Sequence, residues 1–249
     1  FYGIGSKPLK EVCNVSRLSL NLVSVPNVLG IYGASKNDFP AKMARLHPDA
    51  AAAFQAAEKG LGGRIRVSDM FRTAEQSLQA RAQKAGVQPP GFSLHNYGIA
   101  IDIATDDVLK VMGLTKAALD EKMKSFGWFC HRKDGKRGFE DWHFNFLGVG
   151  AAAEPFLKAA AGSTNTSAAG DAKIMSLYKD ALTLTPVEVQ ECLAHLKLYS
   201  GELDGQIGPR SKEAIMAFQR TWRLQPSGQV DKRTERTLAY VSADLPKMG

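Results

Sequence analysis

Along the chain the apolar positions change period several times, and each change marks an element. Residues 47–60, HPDAAAAFQAAEKG, set a proline near the start, good helix formers through the middle and a glycine at the end. That pattern predicts a helix. Arg64-Ile65-Arg66-Val67-Ser68 alternates polar and apolar side chains and predicts a strand. Thr73-Ala74-Glu75-Gln76 has capping-box spacing and opens a helix expected to end at Gly86. Residues 98–103, GIAIDI, read as another strand. From 115 to 127, Leu119, Met123 and Phe126 share a helical face, with Gly127 as the stop. Residues 142–146, WHFNF, are aromatic-rich and strand-like. Helices and strands are mixed without a regular βαβ repeat, so the fold class is α+β. The first forty-five residues carry weak patterns and read as irregular.

The C-terminal part reads as all-helical. Thr185-Pro186-Val187-Glu188 combines an N-cap, a first-turn proline and a capping-box glutamate. Val189, Cys192, Leu193, Leu196 and Tyr199 follow at helical spacing, with Gly201 as the expected stop. A turn at residues 204–209 leads to a second helix with Ala214, Ile215, Phe218 and Trp222 as its apolar stripe. A third helix is expected over residues 232–241. Between the two parts, residues 151–172 are small and polar and read as a linker. The expected organisation is therefore a domain over residues 1–150, a linker over 151–172 and a small three-helix domain over 173–249.

Composition adds limits. The chain has 249 residues, 44% hydrophobic and 23% charged, which is globular. No apolar run reaches the roughly eighteen residues of a membrane span. Phe1 opens no signal-peptide pattern, so a leader is either absent or already removed and the export route stays open. The formal charge of +7 favours a polyanionic partner, a nucleic acid, an anionic membrane or a cell wall, over a neutral one. Its basic residues are scattered and form no helix-turn-helix or zinc-finger pattern, so nucleic acid is the least supported of these. Cys13, Cys130 and Cys192 are too widely spaced for a CxxC pair. Cys130-His131 has no evident orienting acid and makes a poor nucleophile pair.

Two of the five histidines stand in unusual contexts. His95 precedes the strand that holds Asp102, and alternation puts Gly98, Ala100 and Asp102 on one face. A carboxylate in a half-buried strand needs a partner, and a metal shared with His95 would be one. His143 alternates with aromatics; a lone histidine in such a strand is more often a hydrogen-bonded core residue. Together His95, Asp102 and His143 would make an open zinc site with a fourth position for water, whose pKa zinc lowers toward about 7. Glu140, three residues before His143, can be turned toward the open side as a general base. His47 reads as a helix N-terminus and His195 as a helix surface residue.

Ser93-x-His95-x-x-Gly98-x-Ala100-x-Asp102, followed by Glu140-x-Trp142-His143, resembles the D-alanyl-D-alanine carboxypeptidase family of zinc peptidases. That family includes D,D-peptidases and the L-alanyl-D-glutamate endopeptidases of phage lysins. The resemblance spans roughly residues 45–148 and implies zinc on His95, Asp102 and His143, with Glu140 as base. It implies an α+β domain with a small antiparallel sheet flanked by helices. Arg72 would hold a substrate carboxylate or carbonyl and stabilise the oxyanion. Gln76 stands one position off the family's Arg-Ser/Thr-x-x-x-Gln spacing and reads equally as a capping residue. Ser93 would bind substrate or turn the chain, and Trp142 would line the cleft or pack in the core.

Residues 174–245 resemble the three-helix peptidoglycan-binding domain through Tyr199-Ser200-Gly201, Asp204-Gly205-x-x-Gly208-Pro209 and Ala217-Phe218-Gln219. Tyr199, Asp204 and Arg223 are the candidates for wall contact. The expectation is a monomeric zinc peptidase of the periplasm or cell wall whose partner is bacterial peptidoglycan. The L-alanyl-D-glutamate bond is preferred, with D-alanyl-D-alanine cleavage as the alternative. A non-catalytic wall-binding protein is the reading from another class.

Overall fold

The computed structural model describes residues 22–31, 39–83, 87–130, 135–138, 140–148 and 183–243. The expected linker, Cys13, Gly86 and His131 lie outside the described residues. Residues 22–76 and 92–148 cluster into one unit, and 77–91 with 183–243 into another.

The first unit is built on a mixed sheet. Its strands are β2 (Leu29–Gly30), β4 (Arg66–Asp69), β5 (Ala100–Ile103), β6 (Trp128–Cys130) and β7 (His143–Phe146), in the order β2-β4-β5-β7-β6. Neighbours are antiparallel except β2 beside β4. Two short strands, β1 (Val23–Ser24) and β3 (Arg45–Leu46), pair apart from it. Its helices are α1 (Pro48–Leu61), α3 (Thr105–Met112) and α4 (Lys116–Ser125), and α2 (Ala74–Gln83) has its first three residues in this unit and the rest in the other.

Strand alternation sorts the chemistry. Ile101 pairs with Phe144, and both are fully buried. Together with Phe54 of α1 and Leu119 and Met123 of α4, they belong to a closed apolar core. Burying each such side chain stabilises the fold by about 2 kcal/mol. The alternate positions pair Asp102 with His143 and Ala100 with Asn145 on the opposite face of the same strands. The period that closes the core therefore lays a polar stripe behind it.

Two glycines act differently from their expected roles. Gly60 lies inside α1, and the helix stops at Gly62, in the left-handed region at φ 71°. A Cβ on Gly60 would sit 2.2 Å from Phe126 Cζ, so the gap admits that ring. Gly98 precedes the strand rather than starting it. It ends a 3₁₀ turn over Leu94–Tyr97 with φ 65°, and a Cβ there would meet Leu22 Cδ2 at 2.5 Å. Helix α3 carries no sequence signal strong enough to predict it: its N-cap Ala104 makes no side-chain bond, and only Thr105 and Val108 are buried.

In the second unit, α5 (Pro186–His195), α6 (Pro209–Thr221) and α7 (Lys232–Ser242) are all helical, as expected. The Thr185 capping box is formed, with Thr185 N donating to Glu188 Oε2 at 2.7 Å. Helix α5 ends six residues before Gly201, because Lys197 turns left-handed at φ 60° and Leu198 N closes onto Leu193 O. Two buried glutamines organise the turns. Gln190 Oε1 accepts Gly205 N while its Nε2 reaches Asp204 Oδ1, Gln206 O and Ser211 Oγ. Gln219 Oε1 accepts Gly228 N while its Nε2 reaches Ser227 Oγ, Gln229 O and Thr234 Oγ1. The turns they fill, Asp204-Gly205-Gln206 and Ser227-Gly228-Gln229, are repeats of one pattern.

Gln219→Leu keeps the volume but leaves the Gly228 amide and the Gln229 carbonyl unpaired. It is expected to destabilise the protein by about 3 kcal/mol, read as a lowered urea midpoint with unchanged slope.

Candidate metal centre

His95, Asp102 and His143 converge: one ligand atom from each lies within 4.8 Å of the others. Two different devices place them. Asp102 and His143 face each other across the β5/β7 ladder. His95 arrives on the 3₁₀ turn, which is tied to the segment after β4. Arg72 N donates to His95 O at 3.1 Å, and Asn96 Nδ2 donates to Arg72 O at 2.8 Å. The turn therefore cannot shift without dragging residues 70–72 with it.

Second partners set both imidazole tautomers. His95 Nδ1 lies 2.7 Å from Met70 O, a pure acceptor, so the proton sits on Nδ1. That leaves the Nε2 lone pair 3.3 Å from Asp102 Oδ1, buried and without a hydrogen bond. His143 Nε2 lies 2.9 Å from Asn145 Oδ1 and donates to it, so Nδ1 faces Asp102 Oδ1 at 2.7 Å. Two imidazole lone pairs and a carboxylate thus crowd one buried space. Such an arrangement is repulsive until a cation enters it, and the donor set fits a divalent metal. Protonation of the imidazoles relieves the same crowding: burial pushes the Asp102 carboxyl up, but the positive charge and hydrogen bonds of protonated His95 and His143 outweigh it and hold the group well below the usual carboxylate range.

The other expected site residues take distinct places. Glu140 is half-buried at φ 60°, with His143 N donating to Glu140 O at 3.2 Å. A left-handed glutamate costs about 1 kcal/mol or more, and such strain gathers at functional sites. Arg72, 20% exposed at its side chain, pairs with Asp69 through Nε at 3.0 Å and through Nη2. Asp69 stands opposite Asp102 in the β4/β5 ladder. Gln76 Oε1 accepts Thr73 N at 2.8 Å, so its carboxamide oxygen caps α2. Ser93 is half-buried and precedes the 3₁₀ turn, its N–H bonded to Asn96 Oδ1 at 3.3 Å.

Trp142 is half-buried and lines a cleft of about 500 Å³ with Ser68, Thr105, Asp106, Arg137 and Asp141. The cleft flanks the cluster without including it: Ile103 and Trp142, the chain neighbours of Asp102 and His143, lie on its wall. In the second unit, Tyr199 OH donates to Glu202 O, and Asp204 Oδ1 accepts Gln206 N and Gln190 Nε2. Arg223 is exposed at φ 54°. The sequence reading missed Asn145, Asp69 and the Met70 carbonyl. Asn145 was reachable, since it follows His143 by two on the same strand face; a backbone carbonyl leaves no sequence signal.

Comparison with known families agrees with the geometry. Residues 47–149 match the D-alanyl-D-alanine carboxypeptidase family and residues 186–238 match a putative peptidoglycan binding domain. No curated protein matches the chain. The two matches stand in the order read from the sequence, and together they support a peptidase that acts on peptidoglycan. Among the described residues no helix is long and apolar enough to cross a membrane.

Asn145→Leu removes the acceptor that fixes the His143 tautomer without touching a candidate ligand. Divalent-metal affinity is expected to fall about 10–100-fold in a competition titration with a chromophoric chelator.

Proposed function

We propose that this peptidoglycan peptidase is zinc-dependent and hydrolyses an amide bond of the stem peptide, the L-alanyl-D-glutamate bond in particular. One observation carries the reading: the orphaned His95 Nε2, the His143 Nδ1 and the Asp102 carboxylate share one buried space. Two imidazole nitrogens and one carboxylate are a zinc donor set that leaves a coordination position open. When bound there, zinc supplies Lewis acidity toward the scissile carbonyl and makes the attacking water more acidic.

The protein's own groups do the remainder. Glu140 takes the proton from the attacking water and passes it to the leaving amine, which its half-buried position permits. Arg72, oriented by Asp69, presents a guanidinium to the developing oxyanion or to a substrate carboxylate. Ser93 and Trp142 contact the stem peptide, and the Gln76 amide nitrogen does so from the start of α2. The C-terminal domain holds the enzyme on the polymer and raises the local substrate concentration. Tyr199, Asp204 and Arg223 are its proposed wall contacts. The +7 charge suits an anionic wall. The enzyme acts as a monomer in the periplasm or cell wall.

D-alanyl-D-alanine carboxypeptidase activity is the second reading, favoured by the description of the matched family. The two differ in product. Incubation with defined muropeptides, followed by mass spectrometry, is expected to show cleavage after the first L-alanine. Release of terminal D-alanine alone would move the assignment to the carboxypeptidase. Chelation is expected to abolish cleavage and added zinc to restore it; cleavage that survives chelation removes the metal from the mechanism. Glu140→Gln is expected to bind zinc normally and lose about 10³-fold in kcat.

A further inference from the structure

Of the buried ionisable groups, Lys116, Glu191 and Asp141 take no part in the proposed mechanism, and Asp141 adjoins its proposed base. Asp141 is 2% exposed, and it directly follows Glu140. One of its carboxylate oxygens serves the turn: Oδ2 accepts Gly138 N at 3.1 Å and Arg137 Nε at 2.6 Å. The Asp141 backbone N–H returns to Gly138 O at 3.3 Å. Arg137 continues outward, with Nη2 at 2.8 Å from Asp106 Oδ1 in the first turn of α3.

These contacts bear on Glu140. The Asp141 N to Gly138 O bond closes a four-residue turn in which Glu140 holds the third position. A positive φ at the third position of a turn ordinarily calls for glycine or asparagine. Glu140 occupies it at φ 60°. A second turn follows at once, closed by His143 N on Glu140 O at 3.2 Å. Glu140 is thus the shared residue of two consecutive turns. One is anchored to the strand that carries a proposed metal ligand. The other is anchored by the Asp141 carboxylate.

We propose that Asp141 and Arg137 are positioning residues: they brace the Gly138–Asp141 turn against α3 and so hold the Glu140 carboxylate in place for proton transfer. The inference rests on the reading of Glu140 as the proton-transfer group. An ordinary surface aspartate would be solvated. This one is buried and bonds both the first residue of the turn and an arginine tied to another helix. Without the brace, Glu140 relaxes toward right-handed or extended backbone and its carboxylate swings away. Arg72, Gln76 and Ser93, the proposed substrate contacts outside this turn, are untouched, so the loss falls mainly on kcat.

The test compares Asp141→Ala, Asp141→Asn, Arg137→Gln and Glu140→Gln in the full chain, loaded with zinc, on a defined muropeptide. Metal stoichiometry and amide exchange at Gly138 are read alongside. Asp141→Ala is expected to lower kcat about 10–100-fold with KM changed less than about twofold. Bound zinc should be unchanged and the Gly138 amide should lose protection. Asp141→Asn and Arg137→Gln should fall between that variant and the parent. Arg137 is 45% exposed, so Arg137→Gln tests the same brace without opening the core if Asp141→Ala fails to fold. Full kcat in Asp141→Ala or Arg137→Gln beside an inactive Glu140→Gln overturns the brace alone. Full activity of Glu140→Gln overturns the brace and the reading beneath it. Zinc lost in step with activity also overturns the brace, because it places Asp141 in the support of the metal rather than of Glu140.

Discussion

One pairing governs this structure: Asp102 opposite His143 in the β5/β7 ladder. Strand register has a period of two, so a slip by one residue would carry Asp102 into the apolar core and Ile101 out of it. Burying an uncompensated carboxylate costs several kcal/mol, which makes the slipped register untenable. Hydrophobic burial of Ile101, Ile103 and Phe144 therefore does more than stabilise the sheet. It dictates that the carboxylate and the imidazole meet. His95 completes the set from a separate turn, and that turn is secured by backbone bonds to Arg72 and by the Met70 carbonyl. The cluster is preorganised from behind, and its electrostatic frustration points forward.

The parts legible in the sequence are those where a side chain announces its own role. Alternation in AIDI and HFNF exposed the two strands and their polar faces. Thr185, Pro186 and Glu188 announced the start of α5, and the observed capping box is formed by the same residues. The two-domain reading of family resemblance rested on side chains of this kind. The illegible parts depend on backbone geometry or on distant neighbours. Gly60 looked like a helix stop because glycine usually is one; the ring of Phe126, far along the chain, explains it instead. Gly98 looked like a strand residue because its neighbours alternate, yet its positive φ belongs to a turn. The expected end of α5 at Gly201 failed because Lys197, not a glycine, takes the left-handed position.

The C-terminal unit solves a related problem by different means. Three short helices leave little apolar volume, and the turns between them bring backbone groups inside. Gln190 and Gln219 each satisfy an inward amide and an inward carbonyl with one side chain. A carboxamide suits this task because it both donates and accepts without carrying charge. Asp204 is drawn into the first of these hubs: the Gln190 amide and the Gln206 N–H hold its carboxyl below the usual carboxylate range. The residue thus shapes the turn that would present it to a glycan or peptide.

The Glu140 position shows why some strain must persist. Glycine would relieve a φ of 60° but would bring no carboxylate. A right-handed glutamate would relieve it too, but would break the bond from His143 N that fixes the next turn. The chain accepts the strain because both neighbours of Glu140 are over-determined. His143 is locked in the sheet by its ladder partner Asp102 and by Asn145. Asp141 is locked by burial, by the Gly138 amide and by Arg137. A residue held from both sides cannot relax without unmaking one of them. Rigid flanks and a strained centre keep the proposed proton-transfer group in one position, in the segment that also carries a candidate ligand of the metal it would serve.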